Sequence, residues 1–158
     1  MIQTSYYASP SIKHLYKTNP ERLVNIAIYK PYQINIASYP KLFPTQSILF
    51  EYKDAMADLN LLRRLKKNCP DEYNHLKENI EKRYIERYHK EVLYKLNPMK
   101  VAKDLDGKIL LCYEKPESFC HRHIFAEWMK IYDLEVEELG IVNNFKEEKK
   151  FDQILLFA

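Results

Sequence analysis

The segment Ile109-Leu110-Leu111-Cys112 constrains this chain more than any other. It is a continuous apolar run, entered through the turn dipeptide Asp106-Gly107 and left through Tyr113-Glu114-Lys115-Pro116. A strand with one wet face alternates apolar and polar residues, whereas a strand without alternation is covered on both faces. Residues 108–113 are therefore expected to form an interior strand of a mostly parallel sheet. The sheet needs helices to cover it, and the rest of the chain supplies them.

Asp54 to Lys67 carries Ala55, Met56, Leu59, Leu62 and Leu65 at helical spacing. After Asn68-Cys69-Pro70, residues Tyr73, Leu76, Ile80, Tyr84, Tyr88, Val92 and Leu96 repeat at intervals of three or four, which marks one face of a long helix. Pro70 suits its first turn, and Asn97-Pro98 ends it and begins a short helix. Cys120 to Tyr132 reads as a further helix, with Ile124, Phe125, Trp128, Met129 and Tyr132 on its inner side. Residues 2–7, Leu23 to Tyr29, Leu134 to Leu139 and Ile154 to Phe157 read as strands. Five of the eight prolines lie at 10, 20, 31, 40 and 44, so the first third is expected to be short strands and fixed loops, poor in helix. Strands alternating with helices give a single three-layer α/β domain over residues 1–158, a mostly parallel sheet flanked by helices.

Composition excludes several classes of function. Gly occurs only at 107 and 140, so a glycine-rich phosphate loop cannot be built. No apolar run has the roughly 18 to 20 residues of a membrane span. The first residues lack the basic start and apolar core of a secretory leader. Three cysteines are too few, and odd in number, for a disulfide scaffold. The expectation is a soluble protein of a reducing compartment, the cytoplasm, with no membrane partner.

The net charge of +3 is unevenly spread. Residues 1–50 hold five Lys/Arg and one acid, residues 51–110 fourteen bases and eleven acids, and residues 111–158 six bases and ten acids. The basic first third also holds Tyr6, Tyr7, Tyr16, Tyr29, Tyr32 and Tyr39. Lysines that neutralise phosphate, interleaved with rings that stack on bases, suit a nucleotide or a single-stranded nucleic acid. The plainer reading is a half-buried sheet with solvated lysines, and +3 is well short of a dedicated DNA-binding domain.

Chemistry concentrates at the carboxyl end of the apolar strand, where open α/β sheets form their sites. Glu114, Lys115, Cys120, His121 and Arg122 follow within ten residues of Cys112. Cys120 falls at the start of a helix, whose positive end favours a thiolate. Cys120 is a candidate nucleophile, with His121 or Glu114 handling protons, and Arg122 and Lys115 are candidates to hold anionic oxygens. A metal held by Cys112, Cys120, His121 and His123 is the weaker reading, since nothing resembles paired Cys-x-x-Cys ligands, and no metal or cofactor is expected. Nine residues separate Cys112 from Arg122, too many for a phosphatase-type loop. Read alone, Cys112 is a small buried hydrophobe.

The segment LLCYEKPESFCHRHIFAEWM, Leu110 to Met129, resembles the signature of the bacterial and phage proteins grouped as domain of unknown function four-eight-eight. The matching positions are Cys112, Glu114, Lys115, Pro116, Cys120, His121, Arg122, Ala126, Glu127 and Trp128. Thr4-Ser5-Tyr6-Tyr7-Ala8 and Leu96-Asn97-Pro98 are similar as well. Tyr29-Lys30-Pro31 departs from the pattern, keeping a base before the proline but not a small hydroxyl residue. The resemblance implies an α/β domain with a shared polar site. It implies no reaction.

If the first strand lies beside the signature strand, Thr4, Ser5 and Tyr6 face Cys120 and Arg122. Arg83 and Arg87 share a helix face beside Tyr84 and Tyr88, which offers Arg87 and Tyr88 as a guanidinium and phenol wall for a substrate. The plainer reading there is a tyrosine core stripe beside arginines paired with Glu86 and Glu91. The first functional reading is an enzyme acting on a nucleotide or nucleic-acid component through the strand end 112–115 and the helix start 120–122. The alternative is a noncatalytic module that binds a nucleotide, nucleic acid or protein. A third reading makes the signature a packed polar network that pins strand to helix.

Overall fold

A computed structural model describes residues 1–65 and 70–139. Among these residues the chain forms five strands: β1 (Ile2–Tyr6), β2 (Leu23–Asn25), β3 (Ala37–Ser38), β4 (Ile109–Cys112) and β5 (Val136–Glu138). It also forms five α-helices: α1 (Pro10–Thr18), α2 (Gln46–Leu65), α3 (Pro70–Glu91), α4 (Pro98–Asp104) and α5 (His121–Lys130). The strands make one sheet in the order β3-β2-β4-β1-β5, and every pair is parallel. This is the expected three-layer α/β fold. No helix of the described residues is long and apolar enough to cross a membrane.

The central β4 is buried along its whole length, as its unbroken apolar run requires. Its residues alternate between two cores. Ile109 and Leu111 pack with Leu23, Ile36 and Ile12 of α1. Leu110 packs on the opposite face with Tyr88 of α3, Val101 of α4 and Ile124, Phe125 and Met129 of α5. Cys112, two residues beyond Leu110, belongs to this second face. Gly107 opens β4 at φ +72°, a left-handed conformation that the turn requires and a side chain would strain.

Several elements depart from the sequence expectations. The first third is not poor in helix: α1 begins at Pro10, whose missing N–H costs nothing in a first turn. Helix α2 begins at Gln46 rather than Asp54, because the Thr45 hydroxyl accepts the Ile48 N–H at 3.2 Å and caps it. Strand β2 stops at Asn25 instead of running to Tyr29. The Asn25 side chain there bonds both the N–H of Ala27 (3.1 Å) and its C=O (2.8 Å), replacing the ladder. Pro70 does start α3, but of its apolar row only Tyr84, Tyr88 and Val92 are buried, and Leu76 remains 37% exposed. The first half of the row is only partly covered, by α2, where Tyr73 donates to Asn60 at 3.1 Å and its ring faces Arg63. Asn97 caps α4 by accepting the Lys100 N–H at 3.1 Å. The strand expected at Ile154 to Phe157 lies outside the described residues.

Candidate functional site

The site is built where β4 ends and α5 begins. Cys112 is the last residue of β4, and Cys120 is the residue before α5. The intervening loop folds back, so that the two thiols and the imidazole of His121 lie within 4.8 Å of one another, all buried. The His121 Nδ1 is 3.8 Å from the Cys112 Sγ and 3.8 Å from the Cys120 Sγ. Its Nε2 lies 2.9 Å from the carbonyl oxygen of Ile26. A carbonyl only accepts, so Nε2 carries the hydrogen and Nδ1 is turned to the sulfurs. That carbonyl is available because β2 has just ended: the Asn25 side chain turns the chain and presents Ile26 to His121. The edge of the His121 ring packs against Tyr88, with centroids 5.6 Å apart.

The two thiols differ in their surroundings. Proximity to Cys120, with burial, pushes the Cys112 thiol well above the ordinary range. Burial acts on Cys120 in the same direction, but Cys112, the His121 imidazole and the Arg122 guanidinium outweigh it and hold Cys120 well below the ordinary range. Burial lowers His121, and the Cys120 sulfur beside it more than compensates, raising it.

The trio forms part of the wall of a cavity of about 390 Å³ at the carboxyl end of the sheet. Its other walls include Tyr52, Tyr84 and Phe119, with Glu114, Tyr113 and Lys53 also lining it. Phe119 stacks on Tyr52 at 5.2 Å and meets Tyr84 edge-on at 5.3 Å, so the three rings form one surface. Burial pushes the Tyr52 phenol up to about 12 and raises Tyr84 further, keeping both neutral. The Cys112 thiol donates to the Glu114 carboxylate at 3.3 Å. This arrangement can act through a thiol nucleophile with an adjacent imidazole, or through a metal on two sulfurs and a nitrogen.

Of the residues chosen from sequence, Glu114, Cys120 and His121 come together in this cleft. Lys115 is exposed on the loop beyond Glu114. Arg122 does not face the trio. It is 0% exposed, and its guanidinium donates to Glu138 of β5 through Nε (3.1 Å to each oxygen) and Nη2 (2.9 Å), while Nη1 has no partner. The residue after an inward-facing His121 points elsewhere around the helix, here to the β1–β5 side. Thr4, expected to face both Cys120 and Arg122, joins Arg122 in this second group, its hydroxyl donating to Glu138. Glu138 also lies 3.6 Å from the His123 Nε2. Ser5 alternates to the opposite face of the sheet and donates to the Leu139 carbonyl at 3.4 Å. Tyr6 is paired in register with Cys112 and half buried, but does not line the cavity.

Arg87 and Tyr88 are also corrected. Arg87 is held by Glu51, Glu91 and Ser47 between α2 and α3, away from the cleft. Arg83 also pairs with Glu51, so Glu51 takes the place expected for Glu86. Tyr88 is fully buried and donates to the Leu42 carbonyl at 2.7 Å. It is a core residue that supports His121 rather than a wall for substrate. Sequence reasoning missed Cys112 as a catalytic residue, placing it only in the strand end 112–115 and in the weaker metal reading, although its two-residue spacing from Leu110 puts it on the α5 face. It also missed the rings of Tyr52 and Phe119 and the carbonyl of Ile26, which carry no chemical signature.

Comparisons of the chain with protein-family models, with curated proteins and with solved structures find no match.

Proposed function

We propose that the protein is an enzyme that acts on a nucleotide or nucleic-acid component, with its chemistry at Cys112, Cys120 and His121. One observation carries this reading: a buried, prearranged thiol–imidazole cluster opens onto a cavity of about 390 Å³ whose wall is a surface of three aromatic rings. A cluster that only pinned strand to helix would need no cavity beside it. Aromatic faces accept any base by stacking, and Lys53 in the wall, with Lys115 nearby, offers charge to a phosphate. Glu114 in the wall is the carboxylate available to move protons. The resemblance of residues 110–129 to domain of unknown function four-eight-eight supports the choice of this segment as the centre.

The test is a thermal-shift and native mass-spectrometry screen of nucleosides, nucleotides and short oligonucleotides, followed by product analysis with every ligand that binds. The expected result is a stabilising ligand that is converted by the wild type, with conversion lost in Cys120→Ser and Glu114→Gln. A ligand bound at the cleft and returned unchanged would make the protein a binding module. A screen in which none of these compounds binds removes the nucleotide reading altogether.

A further inference from the structure

We propose that Cys112, Cys120 and His121 hold a thiophilic divalent cation of the zinc type, with its fourth position open to the cleft. The proposal rests on the reading of this cleft as a reaction centre and names its reactive group. The geometry is the first argument. Zinc bonds sulfur at about 2.3 Å and imidazole nitrogen at about 2.0–2.1 Å, so a tetrahedral site has S···N edges of about 3.6 Å and S···S edges of about 3.8 Å. Both observed S···N separations are 3.8 Å, and the three donor atoms all lie within 4.8 Å of one another. A separation of 3.8 Å is long for a thiol–imidazole hydrogen bond and close to a tetrahedral edge.

The second argument is the orientation of His121. Its Nε2–H donates to the Ile26 carbonyl, which leaves Nδ1 as the lone pair directed at the sulfurs. Metal-binding histidines are fixed in this manner by a partner on the far nitrogen, which selects the tautomer and holds the ring. Here the partner is backbone freed by the Asn25 turn, so the ligand is preset by the fold.

The third argument is charge. Two thiolates, one neutral imidazole and one divalent cation sum to zero, which suits three groups that are all buried. Two sulfurs and one nitrogen complete three corners of a tetrahedron. All three residues line the cavity, so the fourth corner opens towards it. Structural zinc sites are closed by a fourth protein ligand, whereas catalytic sites keep that position for water.

This deepens the functional reading by naming a reaction class, hydrolysis. The oxygen of the metal-bound water bonds to a carbon or phosphorus of the substrate. The bond from that atom to the leaving group breaks, and one water proton goes to the leaving group. No oxidant or reductant is involved.

The experiment uses untagged full-length protein carrying Cys69→Ser, so that two thiols remain, reduced and stripped with a chelator. Cobalt(II) is titrated in and followed by absorbance. The expected result is saturation at one equivalent, with a thiolate-to-cobalt charge-transfer band and the visible bands of a tetrahedral ion, displaced by zinc. Cys112→Ser should halve the charge-transfer intensity, and Cys112→Ser with Cys120→Ser should abolish it. Protection of both thiols from iodoacetamide by zinc supplies a readout that needs no cleft variant, should those variants fold poorly. Absence of the band at one equivalent, or a band indifferent to both cysteines, overturns the proposal. Conversion of a nucleotide by metal-stripped protein overturns it while sparing the nucleotide reading. Cobalt bound at the trio with no nucleotide ligand found has the reverse meaning.

Discussion

Glu138→Gln isolates the energetic role of the buried pair on the far side of α5. The change keeps the shape of the side chain and removes its charge. Arg122, at 0% exposure, then keeps a guanidinium in the core with no anion to face. In the wild type three N–H···O contacts of 2.9–3.1 Å join the two groups, and the Glu138 side chain is only 9% exposed. Two unit charges about 4 Å apart attract by about 4 kcal/mol at an effective dielectric constant of about 20. Breaking a buried pair on one side costs about 3–5 kcal/mol, because the surviving charge stays desolvated. The expected loss is therefore about 3–5 kcal/mol, a fall in Tm of about 6–20 °C for a chain of this size. The assay is urea unfolding followed by fluorescence of Trp128, the single tryptophan, which is buried on α5 in the same helix as Arg122. Arg122→Met added to Glu138→Gln should recover much of the loss, since an apolar side chain needs no partner. The pH dependence has a definite sign. Burial raises Glu138, but the His123 side chain beside it, with hydrogen bonds from Arg122 and Thr4, outweighs it and holds the carboxyl below its ordinary value. Its contribution is full above the unfolded carboxylate range near pH 4–5 and is lost as the pH falls through the folded value. The gap between wild type and variant should be constant near neutrality and should close in acid. A Glu138→Gln protein within about 0.5 kcal/mol of wild type at pH 7 would refute the pairing as a source of stability.

Asn25→Ala should cost about 1–3 kcal/mol by leaving the Ala27 N–H and C=O and the Tyr7 hydroxyl without their buried partner. Because the same turn presents the Ile26 carbonyl, this variant should also weaken cobalt binding at the trio, measured by the same titration. Tyr88→Phe should lose about 1 kcal/mol in urea unfolding through its bond to the Leu42 carbonyl, with ligand binding at the cleft retained. Arg87→Ala should leave the thermal shift produced by any cleft ligand unchanged, since its guanidinium is occupied by Glu51, Glu91 and Ser47 between α2 and α3.

The fold was legible where burial is total. Ile109 to Cys112 could be read as a central strand because an element covered on both faces has no polar residue to confuse the pattern. The α1 region was misread because Pro10 signals a loop and a helix start equally well. The apolar row of α3 was read too generously: spacing tells which residues share a face, and it cannot tell whether another layer reaches as far as Leu76. The site was half legible. Glu114, Cys120 and His121 are adjacent in sequence, and their chemistry announces them. Arg122 announces itself equally, yet one step around the helix turns it to Glu138. The anchor for His121 is a backbone carbonyl at Ile26, 95 residues away, and no side chain marks it.

The position of β1 between β4 and β5 bears on how the chain is made. Thr4 pairs in register with Leu110 on one side and Glu138 on the other. Once made, β1 thus finds neither neighbour until more than a hundred further residues have been added, on the order of 5–20 s of synthesis. Among the described strands, β2 and β3 alone can pair before β4 emerges. A nascent chain arrested before residue 109 therefore carries Ile2–Tyr6 as an unpaired segment, exposed to aggregation or to chaperones. It also carries the Ile26 carbonyl without the two sulfurs or the imidazole. The reactive centre comes into being only once β4 and the start of α5 have been made, so a chain arrested before residue 109 holds none of its three side chains.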